Sequence, residues 1–163
     1  MSLLLCFAKP EKEYGGLFNR LVSYVDSPNL YCHVEIQLAV TVDNQPRAMQ
    51  LATQCRPVLA VFRSRWGENV TWLPVTQHHV GWDQVSVPIE DHLMRGVCEF
   101  LFSQCGREYS RLSALVSPVT HVSDDSGTYC SKMVFDTLRV AGYSVPKHGT
   151  PNKVYEVVNA LLK

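Results

Sequence analysis

The chain has 163 residues, a length that supports one well-buried core and rarely two, so residues 1–163 are expected to form a single domain. Hydrophobic residues make up 46% and charged residues 18%, a globular balance that excludes disorder. Lys+Arg and Asp+Glu stand at 15 each, so no bulk field draws the chain to nucleic acid, and only local contact with a membrane surface is left open.

Residues 2–8 form a short apolar run that reads as a first strand, ended abruptly by Lys9, Glu11, Lys12 and Glu13. The run lacks the positive flank and small-residue cleavage site of an export signal, and no segment is long enough to span a bilayer. A soluble, cytoplasmic protein in a reducing compartment is the expectation. Six cysteines are present (Cys6, Cys32, Cys55, Cys98, Cys105 and Cys130), none in a C-x-x-C pair, so neither a disulfide framework nor a zinc ribbon is expected. Most should be buried, reduced thiols.

Gly15-Gly16 precedes Leu17, Phe18, Leu21, Val22 and Val25 at helical spacing, and Asp26-Ser-Pro-Asn29 stops that helix with turn chemistry. Residues 32–42 alternate with period two and are rich in β-branched side chains, which predicts a strand. Val34, Ile36 and Leu38 share one face of it; His33, Glu35 and Gln37 share the other. Further strands are expected at 47–53, 57–62, 70–75 and 84–87, giving a small curved antiparallel sheet. From Ile89 to Cys105 the spacing turns helical through Leu93, Val97 and Leu101, with Gly106 placed to end the helix. After a loop containing Pro118 and Gly127, residues 130–141 bring Cys130, Val134, Thr137, Leu138 and Ala141 to one helix face, and Gly142 is the stop. Thr150-Pro151 is an N-cap and first-turn pair for a last helix carrying Val154, Val157, Val158 and Leu161. The class is α+β.

Cys130 is the residue best placed for chemistry. It falls in the first turn of a predicted helix, where free backbone N–H groups and the dipole favour an anion. The thiolate is the reactive form of cysteine, and the same N–H groups suit an oxyanion. A buried cysteine taken alone is more often inert. His33, on the polar face of its strand, is the candidate base, although a strand histidine taken alone is more often a structural one. His78-His79 and His92 read as solvated. His33 with Glu35 lacks an evident third metal ligand, so no metal is expected.

Four segments together resemble the circularly permuted NlpC/P60 papain-like proteins, a group with bacterial YiiX-type and poxvirus members and, more distantly, the lecithin:retinol acyltransferases. Tyr31-Cys-His-Val-Glu-Ile36 is similar to the family's histidine strand, and Cys105-Gly-Arg-Glu-Tyr109 to its "vGkpYd" segment. Thr128-Tyr-Cys-Ser-Lys-Met-Val134 is similar to its "yyCSelV" nucleophile helix, and Gly149-Thr-Pro151 to its closing "vtPddl". All four stand in the family's order, although Ser110 follows Tyr109 where the family has Asp.

The resemblance implies a permuted papain-like fold, with a small antiparallel sheet packed by helices, and a cofactor-free cysteine hydrolase with Cys130 as nucleophile and His33 as base. By the family's pattern the third polar residue lies on the next strand, which puts Gln50 in its place. Glu35 and Gln54 are substitutes for that role. Tyr31 and Tyr129 adjoin the pair and, with Tyr109 and Glu35, are candidates for the cleft or the oxyanion site. The resemblance points first to an amidase or peptidase acting on a peptide or isopeptide. A thioesterase or lipid acyltransferase is the second reading, with Trp66, Trp72 and Trp82 as a candidate apolar groove. A binding module that keeps the scaffold is the third. The poxvirus likeness raises a viral setting, in host cytoplasm or virion. Arg47 and Arg56 flank the Gln50 segment and read as ordinary solubilising charges.

Overall fold

The computed structural model describes residues 1–11, 14, 16–24, 30–65, 67–74, 81–110, 114 and 127–163. These build a mixed α+β structure. In chain order the elements are β1 (Ser2–Ala8), α1 (Leu17–Tyr24), β2 (His33–Val40), α2 (Arg47–Thr53), β3 (Val58–Arg63), β4 (Thr71–Pro74), β5 (Asp83–Pro88), α3 (Asp91–Gln104), α4 (Cys130–Val140) and α5 (Pro151–Leu161). The strands form one open antiparallel sheet in the order β4-β3-β2-β1-β5. Among the described residues no helix is long and apolar enough to cross a membrane.

The alternation along β2 decides where the core lies. Val34, Ile36 and Leu38 join Leu3, Leu5 and Phe7 of β1 and Ala60 and Phe62 of β3 in one buried cluster, with Met94, Val97 and Leu101 of α3 and Met133, Val134 and Leu138 of α4. Helix α4 packs against α3 and β2, and α5 against α4 and β5. Helix ends follow local chemistry. Gly106 and Gly142, just past α3 and α4, take φ of 88° and 87°, the left-handed conformation that costs glycine least. Thr150 caps α5 by accepting from the Lys153 N–H at 3.2 Å, with Pro151 in the first turn.

Two expectations are corrected. Residues 47–53, expected as a strand, form α2, so the described sheet has five strands. The segment Arg-Ala-Met-Gln-Leu-Ala-Thr is made of good helix formers, enters at Pro46, and ends on Gln54 and Cys55, both at φ 54°. Only Met49 of α2 is buried, so no sheet face demanded a strand there. In α1 only part of the expected apolar face turns inward: Val22 is buried and Phe18 half-buried, whereas Leu17 and Leu21 are 75% and 53% exposed. Val25 and the 26–29 turn, the Pro118 loop, His78-His79 and Trp66 lie outside the described residues.

Candidate active site

His33 opens β2 and Cys130 opens α4, and the packing of α4 on β2 brings these two element ends together, close enough for the sulfur to act on the imidazole. Both residues are buried, at 5% and 4% exposure. On its other side the ring meets Glu35, with His33 Nε2 3.2 Å from Glu35 Oε1. Two residues apart on a strand, His33 and Glu35 share a face, so the contact follows from the strand geometry.

Glu35 is fully buried, and a carboxylate so placed needs its charge answered. Arg65 donates to the same Oε1 from Nε at 3.2 Å and from Nη2 at 3.1 Å. The Tyr14 hydroxyl lies 3.4 Å from it. Tyr14 also stacks on the imidazole, with centroids 5.0 Å apart and planes 18° from parallel, while Trp82 stands edge-on to the imidazole at 6.2 Å. The Arg65 guanidinium carbon lies 5.2 Å from the Tyr14 ring centre. His33 is thereby held by a stacked ring, an edge-on ring and a hydrogen bond at Nε2.

The electrostatic outcome is a histidine that keeps its proton. Burial alone pulls the imidazole downward, but the Cys130 sulfur, by charge and hydrogen bond, and then Glu35 outweigh it and raise His33 to about 9. Burial pushes the Cys6, Cys32 and Cys98 thiols up to about 12 and the half-buried Cys105 thiol to about 11. None of these four has a histidine partner among its causes of shift. Cys130 alone is singled out by an imidazole.

Helix α4 adds donors. Its N-cap residue, Tyr129, makes no side-chain cap, so the first-turn N–H groups are not consumed by one. The Ser131 hydroxyl donates to the Gly149 carbonyl at 2.6 Å and anchors this turn against the start of α5. Just before it, Thr128 pairs with Tyr109: the Ser110 N–H donates to Thr128 O at 2.9 Å and the Thr128 N–H to Glu108 O at 3.1 Å. This bridge sets Tyr109 close enough to Cys130 for the sulfur's charge to act on the phenol, which burial first and that charge second hold well above its ordinary range. A cavity of about 240 Å³ opens beside His33, with Tyr14, Asn19, Cys32, Arg65, Glu68 and Tyr109 in its walls.

The remaining expected residues fall elsewhere. Gln50 lies on α2 and donates from Nε2 to the Val42 and Gln45 carbonyls at 3.1 and 3.2 Å, so its amide closes the turn into α2 and the place beside His33 belongs to Glu35. Gln54 is the exposed, left-handed cap of α2. Tyr31 gives its hydroxyl to Asp83 at 2.6 Å, which removes it from the oxyanion role. The Tyr129 hydroxyl lies 3.5 Å from His148 Nδ1. His92 is exposed beside Glu90 at 3.3 Å. Trp72 sits on edge strand β4 against Phe102, whereas Trp82 leads into the opposite edge strand β5, so the two do not line one groove. Arg47 and Arg56 are exposed. Among the described residues no three His, Cys, Asp or Glu side chains gather as for a metal. Sequence reasoning missed Arg65 and Tyr14, whose approach to Glu35 depends on the folded chain; a buried strand carboxylate beside histidine was the signal that a cation must come to meet it.

No family model, curated protein or solved structure matches the chain.

Proposed function

We propose that this chain is a cysteine hydrolase on a permuted papain-like scaffold, with Cys130 as nucleophile, His33 as acid and base, and Glu35 as the residue that orients the imidazole. The observation that carries the reading is the His33 ring held between the thiol at a helix start and a fully buried carboxylate. A nucleophile, its base and an orienting group within hydrogen-bond reach define such sites whatever their order in the chain.

In this reading the Cys130 thiolate attacks a carbonyl carbon, and the oxyanion is met by N–H groups of the first turn of α4. Tyr109 is the tyrosine suited to a second donor, since its hydroxyl lacks a hydrogen bond among the described residues and it lines the cavity. His33 then protonates the leaving amine as the carbon–nitrogen bond breaks, leaving a thioester on Cys130. The now neutral imidazole takes a proton from water, whose oxygen attacks the thioester and frees the carboxylic acid and the thiolate. The mostly polar walls of the cavity, and the separation of Trp72 from Trp82, favour an amide substrate over a long acyl chain.

Alkylation by iodoacetamide across pH tests the pair. One thiol should react fast at acidic to neutral pH in the wild type, with the fast phase lost in Cys130→Ala and slowed on the order of 10²-fold or more in His33→Ala. Uniform slow labelling of all cysteines would reject the hydrolase and leave the binding module.

A further inference from the structure

Building on the hydrolase reading, we infer that Arg65 is a specificity residue, and that the cavity beside His33 takes a carboxylate-bearing part of the substrate. Arg65 follows β3, and its side chain is about a quarter exposed, while the Glu35 it grips is buried. The guanidinium spends Nε and Nη2 on a single oxygen of Glu35. Its third nitrogen, Nη1, makes no hydrogen bond among the described residues, and the same side chain forms part of the cavity wall. A guanidinium is a planar fork with five donors; once one edge is fixed by a buried carboxylate, the nitrogen left over is held rigidly at little further entropic cost. Its best complement is an anionic oxygen, because a charge-assisted N–H···O⁻ bond is stronger than one to a neutral carbonyl.

The neighbours sharpen the choice. Glu68 is the acidic side chain of the wall, and Arg63 Nη2 already answers it at 3.3 Å. The guanidinium carbon stands over the Tyr14 ring, 5.2 Å from its centre. Asn19 and the Tyr109 phenol supply neutral donors on the same walls. A cavity of about 240 Å³ has room for about one amino-acid side chain with its carboxylate, not for an extended lipid tail. The class implied is an amide or isopeptide flanked by a free carboxylate, from a C-terminus or an acidic side chain.

The test uses electrophiles of graded reach: N-iodoacetyl-glycine, N-iodoacetyl-β-alanine and N-iodoacetyl-γ-aminobutyrate, each paired with its terminal amide. For each pair the ratio of Cys130 alkylation rates, carboxylate over amide, is read in wild type, Arg65→Gln and Arg65→Lys. At least one length should favour the carboxylate in the wild type, and that ratio should fall roughly tenfold in Arg65→Gln, as for loss of one charged hydrogen bond. Arg65→Lys should keep part of the preference. Taking a ratio within each protein cancels any change in Cys130 reactivity that follows from disturbing Glu35. Equal ratios in wild type and Arg65→Gln at all three lengths would overturn the assignment of Arg65 while leaving the nucleophile pair standing. Labelling of Cys130 that is slow with both series and indifferent to His33 would instead strike the hydrolase reading, and this inference with it.

Discussion

His33 is buried, and an isolated imidazole in such a place would shed its proton; instead Cys130 and Glu35 raise it to about 9. Because this value lies above the ordinary value of about 6.5, the linkage has a definite sign. The stabilising contribution is fully present below about pH 6.5 and is lost as pH rises through about 9. The wild-type thermal midpoint should therefore fall over that interval relative to His33→Gln, measured by unfolding across pH 6 to 10. Glu35→Gln removes one of the groups that raise His33, so the fall should be smaller and end at lower pH. A difference curve that is flat with pH would show that the proton is not held as the geometry requires. The same proton is the one that the proposed reaction delivers to the leaving amine, so turnover should decline on that limb, whereas alkylation, which needs only the thiolate, should not.

At the level of elements, the site depends on a close approach made just before α4 begins. Gly127 precedes the bridge to Tyr109, and a Cβ built there would sit 2.8 Å from the Ser110 Cβ and 3.1 Å from the Glu108 carbonyl. Backbone and a short side chain cannot swing aside, so Gly127→Ala should push residues 127–129 away from 108–110. The expected cost is about 1–3 kcal/mol in denaturant unfolding, together with slower alkylation of Cys130. Unchanged reactivity would mean that the bridge does not position the nucleophile. The elements themselves were unequally legible. Helices α3, α4 and α5 could be read because apolar spacing, glycine stops and the Thr150 cap all agree, and β2 because its alternation is unbroken. Helix α2 could not: Met49 and Leu51 mimic strand alternation, yet Leu51 is 77% exposed, so the choice was made by propensity and by the ends at Pro46 and Gln54. For the site, residue types and local positions pointed to Cys130 and His33, with Glu35 only a substitute for the third place. The misassignment of Gln50 came with the misread strand, and Arg65 was invisible because only tertiary packing brings it to Glu35.

Across the whole molecule, the end of the chain controls its beginning. Asn152, fully buried in the first turn of α5, accepts the Tyr31 N–H on Oδ1 at 2.8 Å and donates from Nδ2 to the Ser23 carbonyl at 3.2 Å. One amide thus ties the last helix to the end of α1 and to the stretch that leads into β2 two residues before His33. Ser131 binds the same region from the other side, through the Gly149 carbonyl, so the N-terminus of α5 is braced against both halves of the proposed pair. Asn152→Ala deletes both bonds and leaves the Tyr31 N–H and the Ser23 carbonyl buried without that partner. The expected loss is about 2–4 kcal/mol in denaturant unfolding, from two buried groups left unsatisfied. If the amide also sets the approach of His33, Cys130 alkylation should slow at temperatures where the variant is still folded. The discriminating control is Leu138→Ala on α4, which should cost a similar 2–5 kcal/mol by opening a cavity in the core without touching either tie. Equal slowing in both variants would trace the effect to general loosening. Slowing in Asn152→Ala alone makes the C-terminal helix part of what holds sulfur and imidazole together.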